Sequence, residues 1–91
     1  MDRESRIHGA LTSALAPVSL EIIDDSHLHA GHAGARDGRG HFRVRIVAAC
    51  FAGRSRVARH QQVYAAMGDL LKTDVHALGI EALTPDEADG A

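Results

Sequence analysis

The stretch Ser26 to Gly40 decides how the rest of this chain can fold. It holds four glycines, three charged residues and Leu28 as its one large aliphatic side chain. Fifteen residues of that composition offer too little apolar surface to offset the entropy of ordering them. The fold must be assembled on either side. Immediately before the stretch, Val18, Leu20 and Ile22 alternate with Ser19 and Glu21, and Asp24-Asp25-Ser26 closes the run. Immediately after it, Phe42, Val44 and Ile46 alternate with Arg43 and Arg45. Period-two alternation on both sides predicts two strands, each with one buried face, and strands joined by such a loop are most simply antiparallel. A two-stranded ribbon is marginal alone, so something must cover its apolar face.

Two helical patterns supply that cover. Ile7, Leu11 and Leu15 recur at four-residue spacing beside Ala10 and Ala14, and Pro17 stops the pattern. After a turn at Phe51-Ala52-Gly53, Ser55 has the character of an N-cap. The helix it starts carries Val57, His60, Val63, Tyr64, Met67, Leu70 and Leu71 on one side and is expected to reach about Lys72. Val75 to Leu83 then reads as a third strand, with His76, Leu78, Ile80 and Ala82 on one face. Thr84-Pro85-Asp86-Glu87 has the spacing of a capping box with proline at the first helical position. The order is therefore αββαβα. The strand-helix-strand unit implies a parallel crossover, giving a mixed three-stranded α+β sheet with the second strand central and helices on one face.

Ninety-one residues make one domain, expected to span 1–91 with frayed ends at 1–4 and 88–91 and a flexible loop over 26–41. Aromatic residues are 3% of the chain, so the core must be mainly aliphatic and any base-stacking platform is limited. A net charge of -2 argues against general binding to nucleic acid or anionic membrane, though not against a local basic face. Cys50 is the single cysteine, which forbids an internal disulfide and suits a reducing compartment. Neither a transmembrane span nor a signal peptide is visible, and the expected location is cytoplasmic. No nucleophile, acid pair or cofactor loop marks an enzyme.

The chemistry is concentrated in histidine. His27, His29 and His32 lie within the glycine-rich stretch and His41 at its far end, so four of seven histidines fall inside fifteen residues. Imidazole is the commonest metal ligand and the group that titrates nearest neutrality, so metal binding and proton sensing both fit, as does a solvated loop without a role. His76 reads either as a ligand or as a polar residue at the rim of the core. His27-x-His29-x-x-His32 is superficially similar to the metal run of metallo-β-lactamase-like hydrolases, but Gly31 stands where an acid is required and the chain is too short for that fold. Cys50 reads as a small buried hydrophobe. Arg59 and His60 read as residues that hold the long helix to the sheet.

Asp25-Ser26, His41-Phe42, Phe51-x-Gly53, Arg59-His60, Val75-His76-Ala77-Leu78 and Thr84-Pro85 follow one another in an order that resembles the BolA family, over roughly residues 5 to 87. The resemblance implies a fold related to the class II K-homology domain. It also implies partnership with a monothiol glutaredoxin around a bridging [2Fe-2S] cluster, with no cofactor held tightly by the isolated domain. The glutaredoxin cysteine and glutathione would supply thiolates. This chain would supply His76 and a loop histidine, His29 by its distance from Asp25-Ser26, with His27 and His32 as rivals. Some members of the family are transcriptional regulators, so promoter DNA is the alternative partner. The K-homology Gly-x-x-Gly grip is absent here, because Arg56 stands three residues after Gly53. Arg54, Arg56 and Arg59 would then face the phosphates. The oligomeric state is left open.

Overall fold

Residues 2–25 and 40–90 are described by the computed structural model. Helix α1 spans Arg3–Leu15, and its N-cap Asp2 accepts a hydrogen bond from the Ser5 amide at 2.7 Å. Arg3 and Glu4 form its first turn. The helix ends where Ala16 adopts a left-handed conformation (φ 46°), and Pro17, with no amide hydrogen, cannot continue it. Strand β1 (Ser19–Asp24) runs antiparallel to β2 (Gly40–Val47), in register from Ser19 opposite Val47 to Asp24 opposite Phe42. A 3₁₀ turn at Ala49–Phe51 leads to α2 (Arg56–Met67), capped by the Ser55 hydroxyl. The one-turn helix α3 (Leu70–Thr73) follows, then β3 (Val75–Leu83), parallel to β2, and α4 (Pro85–Ala88). The sheet order is β1-β2-β3 with β2 central, as the αββαβα reading requires.

The core lies between the sheet and the two longer helices. Phe42, Val44 and Ile46 of β2 meet Ile7 and Leu11 of α1 and Val63 and Met67 of α2, and Phe51 is sealed beneath them. Each such side chain contributes roughly 1.5–3 kcal/mol by leaving water. The opposite face of the sheet is polar. There Arg43 pairs with Asp25, and Arg45 pairs across to Glu81 at 3.2 Å. A Cβ at Gly79 would sit 3.3 Å from Arg43 Cγ, so the glycine gives the arginine stem room to lie over β3.

Several expectations need correction. The helix from Ser55 does not continue to Lys72, because Gly68 takes φ 55° and ψ −129° and closes α2. Within α2 only Val63 and Met67 are fully buried, while Val57 and Tyr64 are exposed. Val18 precedes β1 and is also exposed. Cys50 is exposed within the 3₁₀ turn rather than buried. Gly40 and His41 belong to β2, which starts two residues earlier than the alternation suggests. Thr84 and Glu87 do form the expected capping box, and Ala88 closes α4. Among the described residues no helix is long and apolar enough to cross a membrane.

Candidate functional site

Because β2 and β3 are parallel neighbours, their first residues lie at the same end of the sheet. Gly40 pairs with Val75 and His41 with Ala77, so β3 carries one extra residue, His76, against a single step of β2. A bulge of this kind resets the inward and outward alternation of a strand. Val75 goes into the core at 1% exposure, whereas His76 turns outward and is exposed. The expectation that His76 shares a face with Leu78 and Ile80 is thereby overturned, and the register shift is the physical reason.

Outward rotation brings His76 against His41. Their ring centres are 5.2 Å apart with the planes tilted by 51°, and His41 is itself buried. The surroundings are tightly fastened. The Gly40 amide donates to the Asp74 carbonyl at 2.9 Å. The buried Asp74 carboxylate accepts from Arg6 of α1 and from the Thr73 hydroxyl, the latter at 2.6 Å. On the other side the Asp25 amide donates to the His41 carbonyl at 2.7 Å, and the Asp25 carboxylate holds Arg43. That hydrogen bond and the attached charge raise the Arg43 guanidinium further above its ordinary value. The stretch expected to carry ligands thus leaves β1 after Asp24 and rejoins the sheet at Gly40, next to His41 and His76. His27, His29 and His32 lie outside the described residues.

His41 is the residue that sequence reading underuses. The sequence marks it as the end of a loop and as part of the His41-Phe42 motif, and gives it no ligand role, yet a signal exists. Two histidines that open adjacent parallel strands must be brought to one edge by the topology itself.

A second feature lies at the other end of β3, about 20 Å away at ~3.3 Å per residue. A hollow of about 610 Å³ is lined by Arg54, Arg56, Arg59, His60, Glu81 and Glu87, among others. Arg59 is committed within it. Its Nε donates to the Arg54 carbonyl at 2.9 Å and its Nη1 to the Ala82 carbonyl at 3.1 Å. The same guanidinium grips both Glu87 carboxylate oxygens at 2.6 and 3.2 Å, the bidentate geometry arginine favours. That hydrogen bonding, joined by the Thr84 amide, holds the Glu87 carboxyl down at about 2 and raises Arg59. Arg59 therefore fastens α4 to α2 and to the free edge of β3. Arg54 and Arg56 are exposed.

Comparison with known proteins agrees with this architecture. The family model described as BolA-like protein matches residues 11–87. SufE-like protein 1, chloroplastic/mitochondrial, of Arabidopsis thaliana is 47% identical over 90 residues, which are 93% of this chain but only 24% of that protein. The DNA-binding transcriptional regulator BolA of Escherichia coli is 36% identical, covering 93% of this chain and 78% of its own length. Among solved structures, the BolA domain of SufE1 from Arabidopsis thaliana aligns with a TM-score of 0.83 at 44% identity, over 96% of both chains.

Proposed function

Because this chain belongs to the BolA-like family, we propose that it is a non-enzymatic cytoplasmic partner of a monothiol glutaredoxin, sharing a bridging [2Fe-2S] cluster in iron-sulfur trafficking and iron or redox regulation. The observation that carries the reading is the exposed imidazole of His76, turned out of the core by the register shift at the edge where the histidine-rich stretch begins and ends. The donor chemistry fits an incomplete site. Two imidazoles on one iron are compatible with a [2Fe-2S] centre, and the remaining ligands are thiolates. Cys50, the only thiol of this chain, follows the far end of β2, whereas His41 is the second residue of that strand. The thiolates must therefore come from a partner, here the glutaredoxin cysteine and glutathione.

The second imidazole on this reading is that of His29. At no more than ~3.6 Å per residue, chain length allows it to lie up to about 14 Å from Asp25, and His27 up to about 7 Å. His32 has more slack and is a weaker chelator in entropy terms. The test is to mix the chain with a cluster-loaded monothiol glutaredoxin and record visible circular dichroism. A changed cluster spectrum that His76→Ala abolishes supports the reading, and an unaltered spectrum with the wild-type chain rules it out.

A second reading, binding to promoter DNA, draws on the hollow at the start of α2 and on the name of the Escherichia coli relative. Arg59 is occupied by Glu87, so pairing with phosphate would fall to Arg54 and Arg56. Arg54→Ala and Arg56→Ala should each reduce the salt-dependence slope of binding by about 0.9, the share of one neutralised phosphate. Failure to bind promoter DNA at low salt disposes of this reading.

A further inference from the structure

We propose that His41 and His76 form a two-imidazole chelate for a single divalent first-row metal ion, a site that the free chain carries without sulfur from any partner. Both residues sit on neighbouring hydrogen-bonded strands, so the separation of their rings is set by the sheet and not by a flexible segment. With metal–nitrogen bonds of about 2.0–2.1 Å and about 1.1 Å more to each ring centre, two imidazoles on one ion have centres about 4.5 Å apart at a right-angled pair of positions and about 5.2 Å apart at the tetrahedral angle. The observed separation is 5.2 Å, and the 51° tilt is not a parallel stack. His41 is held in the body of β2, while His76 is exposed and can rotate to complete the pair.

Imidazole donors suit zinc, copper, nickel and iron, and the intrinsic order of affinity favours copper and nickel over the earlier ions. Among the described residues no group of three histidine, cysteine or carboxylate side chains surrounds a common point. The ion would consequently keep water in its other positions, leaving an open and exchangeable site. His76 is common to this chelate and to the shared cluster proposed above, so occupancy by a divalent ion and cluster sharing exclude one another. The chelate itself does not depend on the cluster reading.

The experiment titrates the untagged full chain with nickel chloride, following heat and the histidine side-chain resonances. Saturable binding of one equivalent is expected, with the His41 and His76 resonances affected together before those of other histidines. Losing one arm of a chelate typically removes two orders of magnitude of avidity, so His76→Ala should weaken binding roughly a hundredfold. Replacing His27, His29 and His32 together by alanine should leave the affinity within about threefold, a small change in free energy. His41 is buried, so His41→Gln is used only where far-ultraviolet circular dichroism shows it folded; where it unfolds, the wild-type resonances decide. The proposal is overturned by an absence of saturable nickel binding, by undiminished binding in His76→Ala, or by binding that vanishes in the triple loop variant. Cluster exchange with glutaredoxin, assayed separately, can succeed or fail independently of all three.

Discussion

The bulge at the start of β3 makes a prediction that inverts the ordinary expectation for two adjacent residues. Val75 is 1% exposed and His76 is exposed. Val75→Ala removes two buried methyl groups, worth about 1.6 kcal/mol at ~0.8 kcal/mol each. A residual cavity of about 50 Å³ adds about 1 kcal/mol at ~24 cal/mol per Å³ if the site does not collapse. The total is about 2–3 kcal/mol, a large share of the 5–15 kcal/mol typical of a domain. His76→Ala touches only an exposed side chain and should stay within about 0.5 kcal/mol. Urea denaturation at unchanged slope measures both directly. In thermal melts the first variant should lose about 8–24 °C and the second little, at roughly 4–8 °C per kcal/mol for a chain of this size. Uninterrupted period-two alternation from Val75 to Leu83 predicts the opposite order. Should His76→Ala cost as much as Val75→Ala, the register shift and the exposed imidazole built on it are both wrong.

The Arg59–Glu87 clasp has a pH signature of defined sign. Glu87 is lowered from 4.5 to about 2 in the folded chain, so its contribution is complete above 4.5 and is lost as pH falls from there towards 2. Glu87→Gln should flatten that limb of the stability profile, and an identical acid limb in wild type and variant would show that the clasp is not the cause. Gly68 combines φ 55° with ψ −129°, a region nearly closed to residues with a Cβ. Gly68→Ala is expected to cost about 1–3 kcal/mol in denaturant unfolding although a Cβ there meets nothing within 4 Å, and a neutral outcome would mean that the turn re-forms without strain.

The element order, the mixed sheet and the capping box at Thr84 are legible in the sequence because each rests on a local rule: alternation, helical spacing, cap chemistry. What escapes are features that arise only when elements meet. The alternation from Val75 to Leu83 contains nothing that announces an extra residue opposite Gly40 and His41, since the bulge is a property of the pair of strands. The break at Gly68 is hidden because Leu70 and Leu71 continue the apolar spacing past the glycine and pack against the same core. Arg59 reads from the sequence as holding its helix to the sheet, and its bonds to Ala82 and Glu87 are of that kind. Its place among phosphate-facing residues rests on charge alone, which carries no information about a carboxylate waiting 28 positions later. Of the residues proposed as metal ligands, His76 is legible as a candidate and its orientation is not.

The hydrogen bond from the Asp25 amide to the His41 carbonyl has an evolutionary corollary. It ties the two ends of the intervening segment to each other through backbone atoms, independently of which side chains lie between. Doubling the length of such a closed segment costs only about 0.6 kcal/mol. Insertions, deletions and exchanges of donor atoms there need not disturb Ile46, Phe51 or the helices above them. The domain can be pictured as a fixed socket whose scaffold is insulated from changes of length between Asp25 and Gly40.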